Sequence, residues 1–148
     1  MVDRSRPDLA AMIVPLGRAL TLAELPILQA HDLTMWGYMV LLRLDEEPIR
    51  TQAALAEAVG ADKTRIIGVL DDLEARGFIR RQPDPSDRRA RLLSLTEDGR
   101  RTRDAAQSAI QHREEDVLAR LTPADRRGFL NALIALSASD ESHGPEKA

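Results

Sequence analysis

Between residues 77 and 95 the helical rhythm of this chain stops. On either side apolar residues recur at three- and four-residue intervals. In GFIRRQP and ARLLSL the pattern breaks into short strand-like runs, and the intervening DPSDRR is made of turn formers and charge. The segment reads as a two-stranded hairpin closing on itself, with Gly77 suited to cap the helix before it. One small hairpin inside a helical chain restricts the fold to a mainly α architecture with a minor β element (α+β), in the order four helices, hairpin, two helices.

The helices are delimited by their start signals. Thr34 precedes MWGYMVLLRL, Thr51 precedes QAALAEAV, Asp62 precedes KTRIIGVLDDLEAR and Thr96 precedes a long charged helix. Each places a side-chain oxygen where a helix's first amides lack partners, which contributes about 1 kcal/mol. Thr122, Pro123 and Asp125 open the last helix, with proline at the position where its missing N–H costs nothing. Near the amino end Leu9, Met12, Ile13, Leu16 and Leu20 indicate a further helix, which Pro15 and Pro26 either kink or split. The small, polar residues 139–148 are expected to form a disordered tail.

At 148 residues, 43% hydrophobic and 30% charged, the composition is that of one folded domain. No uninterrupted apolar run approaches the ~20 residues of a membrane span, and the amino end MVDRSRPDLAAM lacks the apolar core of a secretion signal, so a cytoplasmic protein without membrane association is expected. The absence of cysteine removes disulfides, thiolate metal sites and thiol redox chemistry together. His31, His112 and His143 have no metal-ligand spacing, and neither a Gly-rich phosphate loop nor a nucleophile-serine motif occurs. Those residues argue against an enzyme and call for no metal or cofactor.

QAALAEAV, the break at Gly60-Ala61 and the helix capped by Asp62 have the spacing of a helix-turn-helix. Ile66, Val69, Leu70 and Leu73 would face inward, leaving Lys63, Thr64 and Arg65 in an exposed first turn that can reach base edges or phosphates in a major groove. Charge points the same way. Although the whole chain carries −3, the stretch from Arg76 to Arg103 holds nine arginines against four acids, a local +5 that leaves −8 elsewhere. An isolated arginine run is ordinarily a solvated face. Beside a helix-turn-helix, a basic hairpin suits a grip on double-stranded DNA.

With those pieces in order, the chain resembles the MarR family of winged helix-turn-helix transcription regulators from about residue 8 to residue 138. The resemblance is carried by LDDLEARGFIRRQPDPSDRRARLLSLTEDG. It implies a winged helix-turn-helix core over 31–99, flanked by amino- and carboxyl-terminal dimerisation helices over 1–30 and 100–138. It further implies a homodimer on a pseudo-palindromic operator, most often as a repressor. Asp87, Arg88 and Arg89 match the family's aspartate-x-arginine wing, which implies that Arg89 enters a minor groove while Asp87 orients the neighbouring guanidinium. A narrow groove concentrates negative potential that a planar, permanently charged arginine can meet. Arg88 is assigned to phosphate, with Arg80 and Arg81 as weaker phosphate candidates. The sequence departs from the family at Ile67 and Gly68, where polar readers are customary; Ile67 either packs on a thymine methyl or belongs to the core. The resemblance also implies an effector pocket beside the first two helices. Its candidates are Met12, Arg18, His31, Trp36 and Met39, and the arginine and indole favour a small aromatic acid. The rival reading is a winged-helix architectural or protein-interaction module without small-molecule control.

Overall fold

The computed structural model describes residues 3–46, 49 and 52–140. Its elements are α1 (Leu9–Ala30), α2 (Met35–Glu46), α3 (Gln52–Val59), α4 (Lys63–Ala75), β1 (Ile79–Asp84), β2 (Asp87–Leu95), α5 (Glu97–Leu118) and α6 (Pro123–Asp140). This is the expected mainly α chain with one hairpin. It divides into two compact units, Met1–Ile110 and Gln111–Ala148.

Four of the five start signals lie on described residues and all four act as caps. Thr34 Oγ1 accepts from the Gly37 amide at 3.0 Å, Asp62 Oδ1 from Arg65 at 2.8 Å, Thr96 Oγ1 from Gly99 at 3.0 Å and Thr122 Oγ1 from Asp125 at 3.2 Å. Thr51 and the end of the tail, 141–148, lie outside the described residues. The part of the tail that is described continues α6 to Asp140. The two prolines do not split α1, which runs through both as one helix of 22 residues. It ends when Asp32 adopts φ 54°, with the Asp32 and Leu33 amides returning to the Gln29 and Leu28 carbonyls at 3.0 and 2.9 Å. Helices α3 and α4 end in the same double bond pattern around Gly60 (φ 73°) and Gly77 (φ 76°), where the absence of a Cβ makes the left-handed turn unstrained.

In the first unit Leu28, Leu41, Leu55, Ile66, Leu70, Leu73 and Leu93 are buried together with Ala106 and Ile110 of α5. These two residues of α5 belong to the core, whereas Ala105 is exposed. The hairpin pairs Ile79 with Leu95 through to Pro83 with Arg91, then jumps so that Asp84 faces Asp87. Pro83 has no amide for the ladder, and Arg88, Arg89 and Ala90 fall in the irregularity, off the regular pairing. The hairpin is therefore tighter at its tip than DPSDRR suggested, since Asp87, Arg88 and Arg89 already belong to β2. A third edge was not anticipated: Ile49 bridges Leu93 through two backbone hydrogen bonds of 3.0 and 2.8 Å. A single bridging residue leaves no alternation to read.

In the second unit the end of α5 is fastened to α6 by a two-pronged pair, Arg126 Nη1 and Nη2 each donating to Glu115 at 2.7 Å. Those bonds hold the Glu115 carboxyl below the ordinary carboxylate range. On α6 Leu133, Ile134 and Leu136 are exposed. On α1 Leu9, Met12, Ile13, Val14 and Leu22 are exposed as well, and by length and composition alone α1 is long and apolar enough to cross a membrane. The sequence reading considered unbroken apolar runs, and α1 is not one. Arg18, Glu24 and the two prolines interrupt α1 without lowering its average enough to fail the test.

The start of α5 is seated against the turn that precedes β1. Thr96 Oγ1 donates to the Gly77 carbonyl at 2.6 Å, and a Cβ on Gly99 would run into the Phe78 carbonyl oxygen and come within 2.9 Å of Leu95 Cδ1. Gly99→Ala should therefore destabilise the protein by about 1–3 kcal/mol, as overpacking does. Gly68→Ala, at a helical position with nothing within 4 Å of the added carbon, should stabilise by about 0.5–1 kcal/mol. Thermal unfolding of the two variants checks the opposite signs.

Candidate nucleic-acid interface

Burial divides α4 sharply. Ile66 and Leu70 are fully enclosed and Leu73 almost so, which turns Lys63, Thr64, Arg65, Ile67 and Gly68 to solvent. The Asp62 cap fixes the first turn, and a surface hollow of about 540 Å³ opens at Asp62, Thr64 and Arg65. The positive end of the helix dipole reinforces the charges of Lys63 and Arg65 there. Of the two readings of Ile67, the core one is wrong: its side chain is 46% exposed. Nothing occupies the space a Gly68 Cβ would take, so this stretch of α4 is an apolar, low-relief strip rather than a row of donors.

The hairpin carries its arginines differently from one another. Asp84 is buried and accepts from both the Ser86 amide (2.9 Å) and the Ser86 hydroxyl (2.6 Å), which locks the turn. Asp87 was expected to orient a guanidinium. Its Oδ1 instead accepts from the Arg89 backbone amide at 3.0 Å, so it shapes the chain from which Arg89 projects. Arg88 and Arg89 are exposed, and among the described residues no hydrogen bond or ion pair engages either guanidinium. Arg80 is exposed as well.

Arg81 is not available in the same way. Its side chain is only 19% exposed and its Nη2 donates to Asp71 of α4 at 2.9 Å, with Glu74 3.9 Å from Nη1. It ties the hairpin to α4. Asp71 and Glu74 lie three residues apart and so share a face of α4, but no sequence pattern assigns Arg81 to them. A second contact had no such pattern either: the Arg65 guanidinium lies over the indole of Trp36 on α2, 5.7 Å from the ring centre.

The five candidates for an effector pocket fall into two groups. His31, Trp36 and Met39 are half-buried, the latter two against the core, and His31 Nδ1 is 2.9 Å from the Ile27 carbonyl. Met12 and Arg18 are exposed on α1.

Comparison with known proteins agrees with this geometry. The MarR family model matches residues 33–90, which span α2, α3, α4 and the hairpin tip. The repressor NicR of Pseudomonas putida is 32% identical over 118 residues, covering 78% of this chain and 75% of NicR. The chain belongs to the MarR family. A Thauera aromatica protein named for the hcr operon is also 32% identical, over 70% of this chain, and the chain spans 62% of that protein's length. Among solved structures, the repressor CouR bound to a 23-mer DNA duplex is 33% identical with a TM-score of 0.71, covering 88% of this chain and 92% of CouR. CouR from Rhodococcus jostii RHA1 bound to p-coumaroyl-CoA is 28% identical with a TM-score of 0.71, covering 87% of this chain and 91% of that one. This chain is thus a MarR-family transcription regulator with a winged-helix fold.

The contrast between the wing arginines is measurable. Arg89→Ala should weaken DNA binding by about 1–3 kcal/mol and lower the salt slope by about one unit for each phosphate no longer neutralised, with an unchanged melting temperature. Arg81→Ala should lower the melting temperature and leave the salt slope close to wild type. Anisotropy titrations at several salt concentrations, paired with thermal melts, read both.

Proposed function

We propose that this MarR-family member is a cytoplasmic, homodimeric, sequence-specific repressor that leaves its operator when a small aromatic acid binds. The observation that carries the DNA reading is the pairing of a capped recognition helix, outward at Lys63, Thr64, Arg65, Ile67 and Gly68, with a wing whose Arg88 and Arg89 guanidinium groups are engaged by no hydrogen bond or ion pair among the described residues. The DNA-bound CouR, a third identical to this chain, supports it. In this reading Arg89 enters a minor groove, Arg88 and Arg80 meet phosphate, and the first turn of α4 lies in the adjacent major groove.

Two-fold pairing of chains is supported by the uncovered apolar residues of α1 and α6, more numerous than scattered surface leucines would be. Residues 31–99 form the DNA-binding part in this reading, and 1–30 with 100–138 hold the two copies together. Symmetry then sets two recognition helices about one DNA turn, ~34 Å, apart and makes the operator a pseudo-palindrome.

Ile67 gives the reading a chemical test. An exposed apolar side chain beside a Cβ-free residue suits the C5-methyl of thymine, the one apolar group on a major-groove edge. Replacing thymine by deoxyuridine across the operator removes only that methyl. Wild-type affinity should fall by about 0.8 kcal/mol for each methyl buried, and Ile67→Ala should be indifferent to the replacement. Equal responses by both proteins would remove Ile67 from readout.

The architectural alternative is separated by salt titration on operator and random duplexes. A regulator keeps an excess affinity for operator of at least about 10³ as salt rises, while an architectural module binds both alike. For the effector, Arg18 is the proposed carboxylate anchor and Trp36 the flat wall, with Met12, His31 and Met39 around them. The aromatic acyl group held by CouR in its p-coumaroyl-CoA complex supports an aromatic ligand. Full release, from 99:1 to 1:99, needs about 5.5 kcal/mol of preference for the DNA-free form. Calorimetry with a panel of benzoate-like acids should show binding by wild type and a loss in Arg18→Ala. Undiminished binding by the variant would exclude Arg18, and no binding by any acid would remove the pocket.

A further inference from the structure

We infer that Trp36 is a positioning residue for DNA readout, holding the Arg65 guanidinium in place before DNA arrives. The inference rests on the reading of α4 as the recognition helix. Three observations converge on it. Arg65 lies in the first turn of α4, where the Asp62 carboxylate holds its backbone amide at 2.8 Å. Its guanidinium lies over the Trp36 ring, 5.7 Å from the ring centre, within the ~6 Å reach of a cation–π contact. Among the described residues no carboxylate or carbonyl engages that guanidinium, in contrast to Arg81, which Asp71 holds.

The chemistry of the contact matters as much as its distance. A ring attracts a guanidinium through its face, whereas the five N–H donors lie in the guanidinium plane and point outward at its edge. An arginine held by an aromatic face is therefore immobilised with its donors unspent. A carboxylate would immobilise it by occupying those donors, which would then have to be given up to a base or phosphate. Arginine is among the residues that lose most rotamer freedom on ordering, and a ring that orders it in advance removes part of that cost from the binding step. Trp36 is itself steadied, half-buried against the core at the start of α2, in the turn whose amides Thr34 caps. The first turns of α2 and α4 are thereby joined by one indole. Nothing in the helix-turn-helix spacing of α3 and α4 required α2 to take part in readout.

The test uses the 148-residue chain with Trp36→Leu, Trp36→Phe, Arg65→Ala and the Trp36→Leu/Arg65→Ala double variant. Affinities are measured for operator and for random duplex. Trp36→Leu should lower the operator-over-random ratio about two- to fivefold per half-site, the range of an exposed cation–π contact, and Trp36→Phe should restore most of it. In the Arg65→Ala background Trp36→Leu should have no further effect on the ratio. In DNA-free protein the Arg65 side-chain protons should be shifted upfield by the ring, a displacement that disappears in Trp36→Leu.

A loss of discrimination by Trp36→Leu that persists undiminished in the Arg65→Ala background would mean that the indole acts through the fold, and the inference fails. A rise in operator affinity in Trp36→Leu would show that the ring withholds Arg65 from DNA, the reverse of the role inferred. Absence of the upfield shift would remove the contact itself. If the wild type binds operator and random duplex alike, the reading of α4 fails and the positioning role falls with it. A retained wild-type preference with no Trp36–Arg65 coupling overturns the positioning role alone.

Discussion

The structure depends on the one-sided burial of α4. Ile66, Leu70 and Leu73 are locked into a core shared with α2, α3 and the hairpin, and their enclosure decides which residues of the same helix meet solvent. A buried leucine or isoleucine is worth roughly 1.5–3 kcal/mol relative to exposure, so rotating α4 to hide Ile67 would sacrifice far more than it gained. The polar first turn and the apolar strip after it are therefore fixed by packing. The Asp62 cap then sets the helix start, and the Arg81 contacts to Asp71 and Glu74 set the hairpin against the helix flank. In the proposed reading the base-contacting side chains stand on a rigid element, and rigidity is what allows a few side chains to discriminate among base edges.

Much of this was legible because it is local. Caps at Thr34, Asp62, Thr96 and Thr122 and the left-handed turns at Gly60 and Gly77 involve residues three to five apart, and each appears in the structure where the residue pattern placed it. The illegible parts are contacts between distant residues. Ile49 joins Leu93 through backbone alone, which no side-chain pattern announces. Arg81 meets Asp71 across ten positions and Trp36 meets Arg65 across two helices, so counting charges assigned Arg81 to phosphate and the indole only to a ligand pocket. Ile67 was undecided for a related reason: at a helix position next to two core residues, periodicity alone does not settle which side of the boundary it takes. The prolines of α1 show the limit of a local rule, since the helix continues through both.

The charge distribution follows the same division of labour. A chain of net −3 concentrates nine arginines between residues 76 and 103, and the structure sorts them by use. Arg81 is spent on Asp71, and Arg76 lies over the Phe78 ring at 4.7 Å with Asp72 beside it. Arg88 and Arg89 stand on the hairpin irregularity, exposed and, among the described residues, with no ion pair on either guanidinium. Net charge thus says little about a nucleic-acid binder of this size, whereas the number of arginines without an internal carboxylate says a good deal.

In the proposed reading one protein surface addresses two grooves at once, α4 in the major groove and the wing in the minor groove, repeated by two-fold symmetry. Dimethyl sulfate protection reads the two grooves separately, because it methylates guanine N7 in the major groove and adenine N3 in the minor groove. On a bound operator the expected pattern is two blocks of guanine protection centred about one helical turn apart, with adenine protection beside each block. Protection of the sugar–phosphate backbone without either base pattern, or a single unrepeated block, would contradict the claim.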